Sequence, residues 1–129
     1  MSDILALLGR IAFALIFIMA GGAKVANFQQ YLGMMGKSGL PYPQIMLIIS
    51  IILELGGGLM VLLGWRARYG ALFLFLFTVP VTIIFHSFWN VEAHLVTNQM
   101  QHFLKNLTIM GGSLYIMAYG AGRYSIDRK

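Results

Sequence analysis

Apolar residues along this chain fall into four long runs separated by short polar stretches: Ile4 to Ala23, Pro43 to Gly64, Arg68 to Phe88 and Gln101 to Tyr119. Each is close to the ~20 residues with which a helix crosses the hydrocarbon core of a bilayer. No backbone N–H or C=O can stay unpaired in lipid, so the runs are predicted to be α-helices, and the alternation of barrel strands is missing from them. The pattern predicts an all-α membrane protein: one domain, residues 1–129, forming an antiparallel bundle of four transmembrane helices. Gly39-Leu-Pro-Tyr-Pro43 sets the start of the second helix, and Gly64-Trp-Arg-Ala-Arg68 reverses the chain between the second and third. Pro80 removes the bond to the Leu76 carbonyl, so a kink is expected in the third span. The first run lacks the basic start and small-residue cleavage pattern of a removable signal and is expected to remain as a span.

Steps of three and four residues select one side of a helix. Taken through the four runs, they pick out Arg10, Ala14, Phe17, Gly21 and Lys24; Ser50, Glu54 and Gly57; Thr78, Thr82 and His86; and Gln101, Lys105, Thr108, Gly112 and Tyr115. The remaining positions are largely Leu, Ile, Phe, Val and Met, which lipid tolerates. These polar and small stripes are therefore expected to face one another. Gly56-Gly57-Gly58 and Gly111-Gly112 let helix backbones approach closely, or make room for a flat ligand.

Composition agrees with a membrane protein: 59% of residues are hydrophobic and 10% charged, against about 45–50% and about 25% in soluble proteins. The net charge of +5 fits orientation against anionic lipids and does not call for nucleic acid. Arg66, Arg68, Arg123, Arg128 and Lys129 outweigh Lys24, Lys37 and Lys105, so both termini are predicted to be cytoplasmic, with Val25 to Leu40 and Trp89 to Met100 outside. Trp65 and Trp89, at opposite ends of the third span, suit the two interfacial belts. There is no cysteine, which removes disulfides, thiolate metal sites and thiol relays. His86, His94 and His102 recur every eight residues, a drift of about 80° on a helix. One helix cannot aim all three at a single ion, and no metal site is expected. Met34-Met35 reads as lipid-facing or gap-filling.

Glu54 stands in the middle of an apolar run, where a carboxylate costs roughly 2.5–3.5 kcal/mol on insertion scales and normally has a partner. Its level and that of Arg10 differ by roughly 5–6 Å when the runs are centred in the bilayer, so an Arg10–Glu54 ion pair is expected. Lys24, His86, Lys105 and Asn106 lie toward the outer level, where they could line a polar cleft above Glu54. Snorkelling to the headgroups is the plainer account of Lys24 and Lys105.

Phe17-Ile-Met-Ala-Gly-Gly-Ala-Lys24, Leu53-Glu-Leu-Gly-Gly-Gly58, Phe85-His86, Phe103-Leu-Lys-Asn106 with Gly111-Gly112, and Gly122-Arg-Tyr-Ser-Ile-Asp127 occur in this order. In this the chain resembles the DoxX family over nearly its whole length. The resemblance implies a small four-helix protein of the bacterial inner membrane, of a kind often called a quinol oxidase subunit, with Lys24, Glu54, His86, Lys105 and Asn106 as the polar positions of the family motifs. The leading expectation is a site for a quinone or other lipophilic ligand in a membrane redox complex. His86 and Lys105 would hydrogen-bond a carbonyl oxygen, and Glu54 would accept or relay a proton. Such a subunit has no evident electron entry of its own, so a partner subunit or homo-oligomer is expected, and catalysis by this chain alone is left open. The rival expectations are a transporter or receptor for a small solute or lipid, with Glu54 as coupling site, and a scaffold recruiting proteins through the Arg66 to Arg68 turn or the basic tail.

Overall fold

The computed structural model describes residues 1–86 and 88–128. The helices are α1 Ser2–Ala26, α2 Phe28–Lys37, α3 Pro43–Leu63, α4 Ala67–Phe85 and α5 Val96–Tyr119, with short 3-10 turns at Phe88–Asn90 and Ala93–Leu95 before α5. Length and hydropathy suit α1, α3 and α4 to crossing a membrane. At 24 residues α5 is as long, but Gln99, Gln101, His102, Lys105 and Asn106 make its first half more polar. Large apolar side chains such as Ile4, Leu15, Ile52 and Leu76 stand on the outer surface, where burial in lipid takes the place of a protein neighbour.

In the bundle α3 packs on α1 and α4, and α4 carries α5. Ala14, Phe17, Val61, Ala71 and Leu74 form the core. The α3–α4 contact depends on two glycines. A Cβ on Gly57 would lie 3.0 Å from the Gly70 carbonyl oxygen, and one on Gly70 would lie 3.0 Å from the Gly57 oxygen. A methyl group on either residue would push these backbones apart, so Gly57 here serves close helix packing.

One end of the bundle is closed by the C-terminal tail. Gly64 and Arg66 both take left-handed backbone conformations, which turn the chain sharply between α3 and α4. The Asp127 carboxylate accepts hydrogen bonds from the Arg66 and Ala67 N–H groups at 2.8 and 3.0 Å, satisfying donors that the start of α4 leaves open. Ile126 and Asp127 donate their own N–H groups to the Leu63 and Gly64 carbonyls. Arg10 joins α1 to this clasp by donating to the Tyr124 carbonyl at 2.6 Å and, at 3.4 Å, to that of Val61. A Cβ on Gly64 would overlap both Arg10 and Ser125.

Several sequence expectations change. The connection read as a loop from Val25 to Leu40 contains α2, and α5 starts at Val96, well before Gln101. Pro80 lies inside α4, within the span as expected. On α1 the buried residues are Arg10, Ala14, Phe17 and Gly21, as the stripe predicts. On α5 they are Asn106 and Ser113, whereas Gln101, Lys105, Thr108 and Tyr115 are exposed. That face is turned by about 100°, one residue's worth of helix, because the Asn106 amide is drawn to Thr82 on α4.

Candidate functional site

Glu54 sits near the middle of α3 with its side chain 3% exposed, and its partner is the ammonium of Lys24, which is 17% exposed. The expected Arg10–Glu54 pair does not form. Gly21 is the α1 residue level with Glu54, while Arg10 is level with Val61 and Gly64. The two levels are eleven residues apart on α1, about 16 Å at 1.5 Å per residue. The first turns of α1 therefore project past α3 into the C-terminal clasp, and Lys24, one turn beyond Gly21, reaches down to Glu54. Lys24 also lies 4.9 Å from the centre of the Phe77 ring, within the range at which an aromatic face favours a cation. Two burdens are met together: the carboxylate gains a counter-ion, and the ammonium gains an aromatic face beside it.

His86 terminates α4 and is held from α5. Its Nδ1 is 2.9 Å from Gln99 Oε1, and its ring stacks on His102 with centroids 4.8 Å apart. Because an amide oxygen only accepts, this contact calls for the tautomer with the proton on Nδ1, in which Nε2 is left as an acceptor. Nearby, Asn106 Nδ2 donates to Thr82 Oγ1 at 3.0 Å, and Thr82 donates to the Thr78 carbonyl at 2.7 Å. Two separate sets of hydrogen bonds, one turn apart on α4, thus tie α4 to α5. His94 lies apart from it in the α4–α5 connection, 3.4 Å from Glu92. Among the described residues, no group of three metal-ligating side chains forms a cluster.

Two adjoining cavities border this set. A cavity of about 170 Å³ is lined by Lys24, Glu54, His86, Lys105 and Asn106 together with Phe77, Thr78 and neighbouring apolar groups. All five polar positions singled out in the sequence therefore meet at one place, drawn from four helices. Lys24, Phe77, Val81 and His86 also line a second cavity of about 360 Å³, whose other walls are Tyr31, Met34 and Met35 of α2, Ser50 of α3 and Phe85 of α4. This second space is almost entirely apolar, with the Lys24 ammonium and the His86 ring as its polar groups of most consequence.

Sequence reasoning missed the α2 wall, Phe77 and Gln99. Tyr31, Met34 and Met35 do follow the i, i+3, i+4 spacing of a helix face, a signal that was present but too short to stand out from a loop. Nothing local marks Gln99, whose role depends on where α5 begins.

The DoxX family model matches residues 5–87, a stretch that includes Lys24, Glu54 and His86. The chain is similar to the inner membrane protein YqjF of Escherichia coli (strain K12), 41% identical over 99% of this chain and 93% of that protein. It is also similar to the inner membrane protein YphA of the same organism, 32% identical over 98% and 90%. A Surfeit locus protein 4 homolog of Schizosaccharomyces pombe is 30% identical over 88% of this chain, which covers 37% of that longer protein. No solved structure matches the chain.

Proposed function

The chain belongs to the DoxX family of integral membrane proteins, and from this premise we propose that it binds a quinone-type or similar lipophilic ligand in the bacterial inner membrane. One observation carries the reading: the Lys24 ammonium, paired to the buried Glu54 carboxylate, and the His86 ring, held by Gln99, border an apolar cavity of about 360 Å³. Such sites combine a mostly apolar lining with a few polar groups that fix orientation. Lys24 is the donor for a carbonyl oxygen of the ligand, a role the sequence alone assigns to His86 and Lys105. With Nε2 free to accept, neutral His86 suits the hydroxyl of the reduced form and takes its proton. Glu54, paired to Lys24, is placed to pass a proton onward. As the reduced form gives up its two hydroxyl protons and becomes the quinone, its two electrons pass to a partner subunit in this scheme, and Lys105, exposed on α5, borders the polar side of the site.

The test is mass spectrometry of ligand retained by protein purified in mild detergent, comparing wild type with His86→Phe, Lys105→Met and the double variant Lys24→Met/Glu54→Gln at matched melting temperature. Apolar replacements of similar size keep the packing and remove the hydrogen bond. Loss of a quinone from His86→Phe and from the double variant, with a smaller effect of Lys105→Met, is the expected result. Equal retention in all four proteins, or no quinone in wild type under any extraction, would refute the proposal and favour a scaffold.

A further inference from the structure

At the clasp end a third space lies between α1 and α5, far from the Lys24–Glu54 pair. It measures about 330 Å³ and is walled by Gly9, Arg10 and Phe13 of α1 against Gly112, Tyr115 and Ile116 of α5. These two helices close the bundle loosely. A Cβ on Gly112 would lie 3.1 Å from the Phe13 ring, but one on Gly9 would meet nothing within 4 Å. Arg10 is 4% exposed, and its two Nη groups are committed to the clasp. Its Nε is buried and has no hydrogen-bond partner among the described residues. An unmet donor on a guanidinium is costly in a dry interior, and this one belongs to a side chain that lines the seam.

Charge around the seam points to the occupant. Arg10, Arg66, Arg68, Arg123 and Arg128 gather at this end of the bundle, against Asp3 and Asp127, among the described residues. Arg123 is exposed and follows Gly120 and Ala121, which also line the space. Exposed tyrosines, Tyr115 and Tyr119, stand at its rim with ring centroids 5.7 Å apart, an arrangement suited to the level where headgroups meet acyl chains. We propose that the α1–α5 seam is a binding site for an anionic phospholipid. An acyl chain lies along the glycine-lined seam, an oxygen of the glycerol–phosphate region accepts from Arg10 Nε, and the headgroup charge is met by Arg123.

Native mass spectrometry of the protein released from vesicles of equal parts phosphatidylglycerol and phosphatidylcholine tests this. Wild type is expected to retain phosphatidylglycerol preferentially. The Gly9→Leu variant puts a side chain into the seam from a position where a Cβ meets nothing within 4 Å, and should lose that lipid at an unchanged melting temperature. Removing one cation near the surface with Arg123→Gln should weaken retention about fivefold. Equal retention of both lipids by wild type, or undiminished phosphatidylglycerol on Gly9→Leu, would overturn the assignment. So would a dimer without lipid in wild type that becomes monomeric on Gly9→Leu, because the seam would then be an interface between two copies.

Discussion

The Lys24–Glu54 pair is the main energetic commitment at the scale of single residues. Two charges withdrawn from solvent are worth little net stability as a pair, but breaking the pair strands whichever charge remains. Lys24→Met and Glu54→Leu are therefore each expected to cost roughly 3–5 kcal/mol, and the double change less than the sum. Thermal melting of the four proteins in one detergent measures the coupling; additive losses would mean that the charges do not interact in solution. Arg10→Met should show no such coupling to Glu54, because its hydrogen bonds go to the Val61 and Tyr124 carbonyls. His86 illustrates the same scale in a different way. Its acceptor or donor character follows from one neighbour, Gln99, and a Gln99→Leu change frees the tautomer without altering the cavity wall.

Among the elements, the pairing of α3 with α4 is the tightest dependence on side-chain size. Three glycines in succession on α3 have three different surroundings: a Cβ on Gly56 meets nothing within 4 Å, one on Gly58 lies 3.0 Å from Ile18, and one on Gly57 lies 2.9 Å from Leu74 and 3.0 Å from the Gly70 oxygen. Gly56→Ala should leave stability unchanged or raise it by about 0.5–1 kcal/mol through helix propensity. Gly57→Ala should lower it by roughly 1–3 kcal/mol, because an opposing backbone cannot rotate aside as a side chain can. Melting temperatures of the two variants, compared side by side, check this contrast. Helix α2 lies at the other extreme. No residue of it is buried, and it rests mainly on α3, so it is the wall of the larger cavity with the least holding it in place.

For the whole molecule, the antiparallel order puts Ser2, the α3–α4 turn and the tail at one end, and α2 with the α4–α5 connection at the other. The excess of arginine at the first end predicts that it faces the cytoplasm. Cysteines introduced at Ser2 and Asn98 into the cysteine-free chain should respond oppositely to an impermeant maleimide on intact cells, with Asn98→Cys labelled and Ser2→Cys protected. Labelling of Ser2→Cys from outside would invert the topology. Both proposed sites would then exchange leaflets, without change to their internal geometry.

Sequence alone determined the helical class, the approximate spans and the buried face of α1, because a backbone in lipid has few options and because Arg10, Ala14, Phe17 and Gly21 share one face at helical spacing. It also singled out Lys24, Glu54, His86, Lys105 and Asn106, since polar side chains in apolar runs are conspicuous. The tertiary structure decided who pairs with whom. Hydropathy locates each helix relative to the bilayer only to within a few residues, whereas the axial offset of α1 against α3 depends on the clasp formed by a tail a hundred residues away. That offset moved Arg10 away from Glu54 and brought Lys24 to it. The rotation of α5 was likewise settled by one interhelical hydrogen bond, Asn106 to Thr82, and the turn of a helix about its own axis leaves no trace in hydropathy when its first half is polar on more than one side.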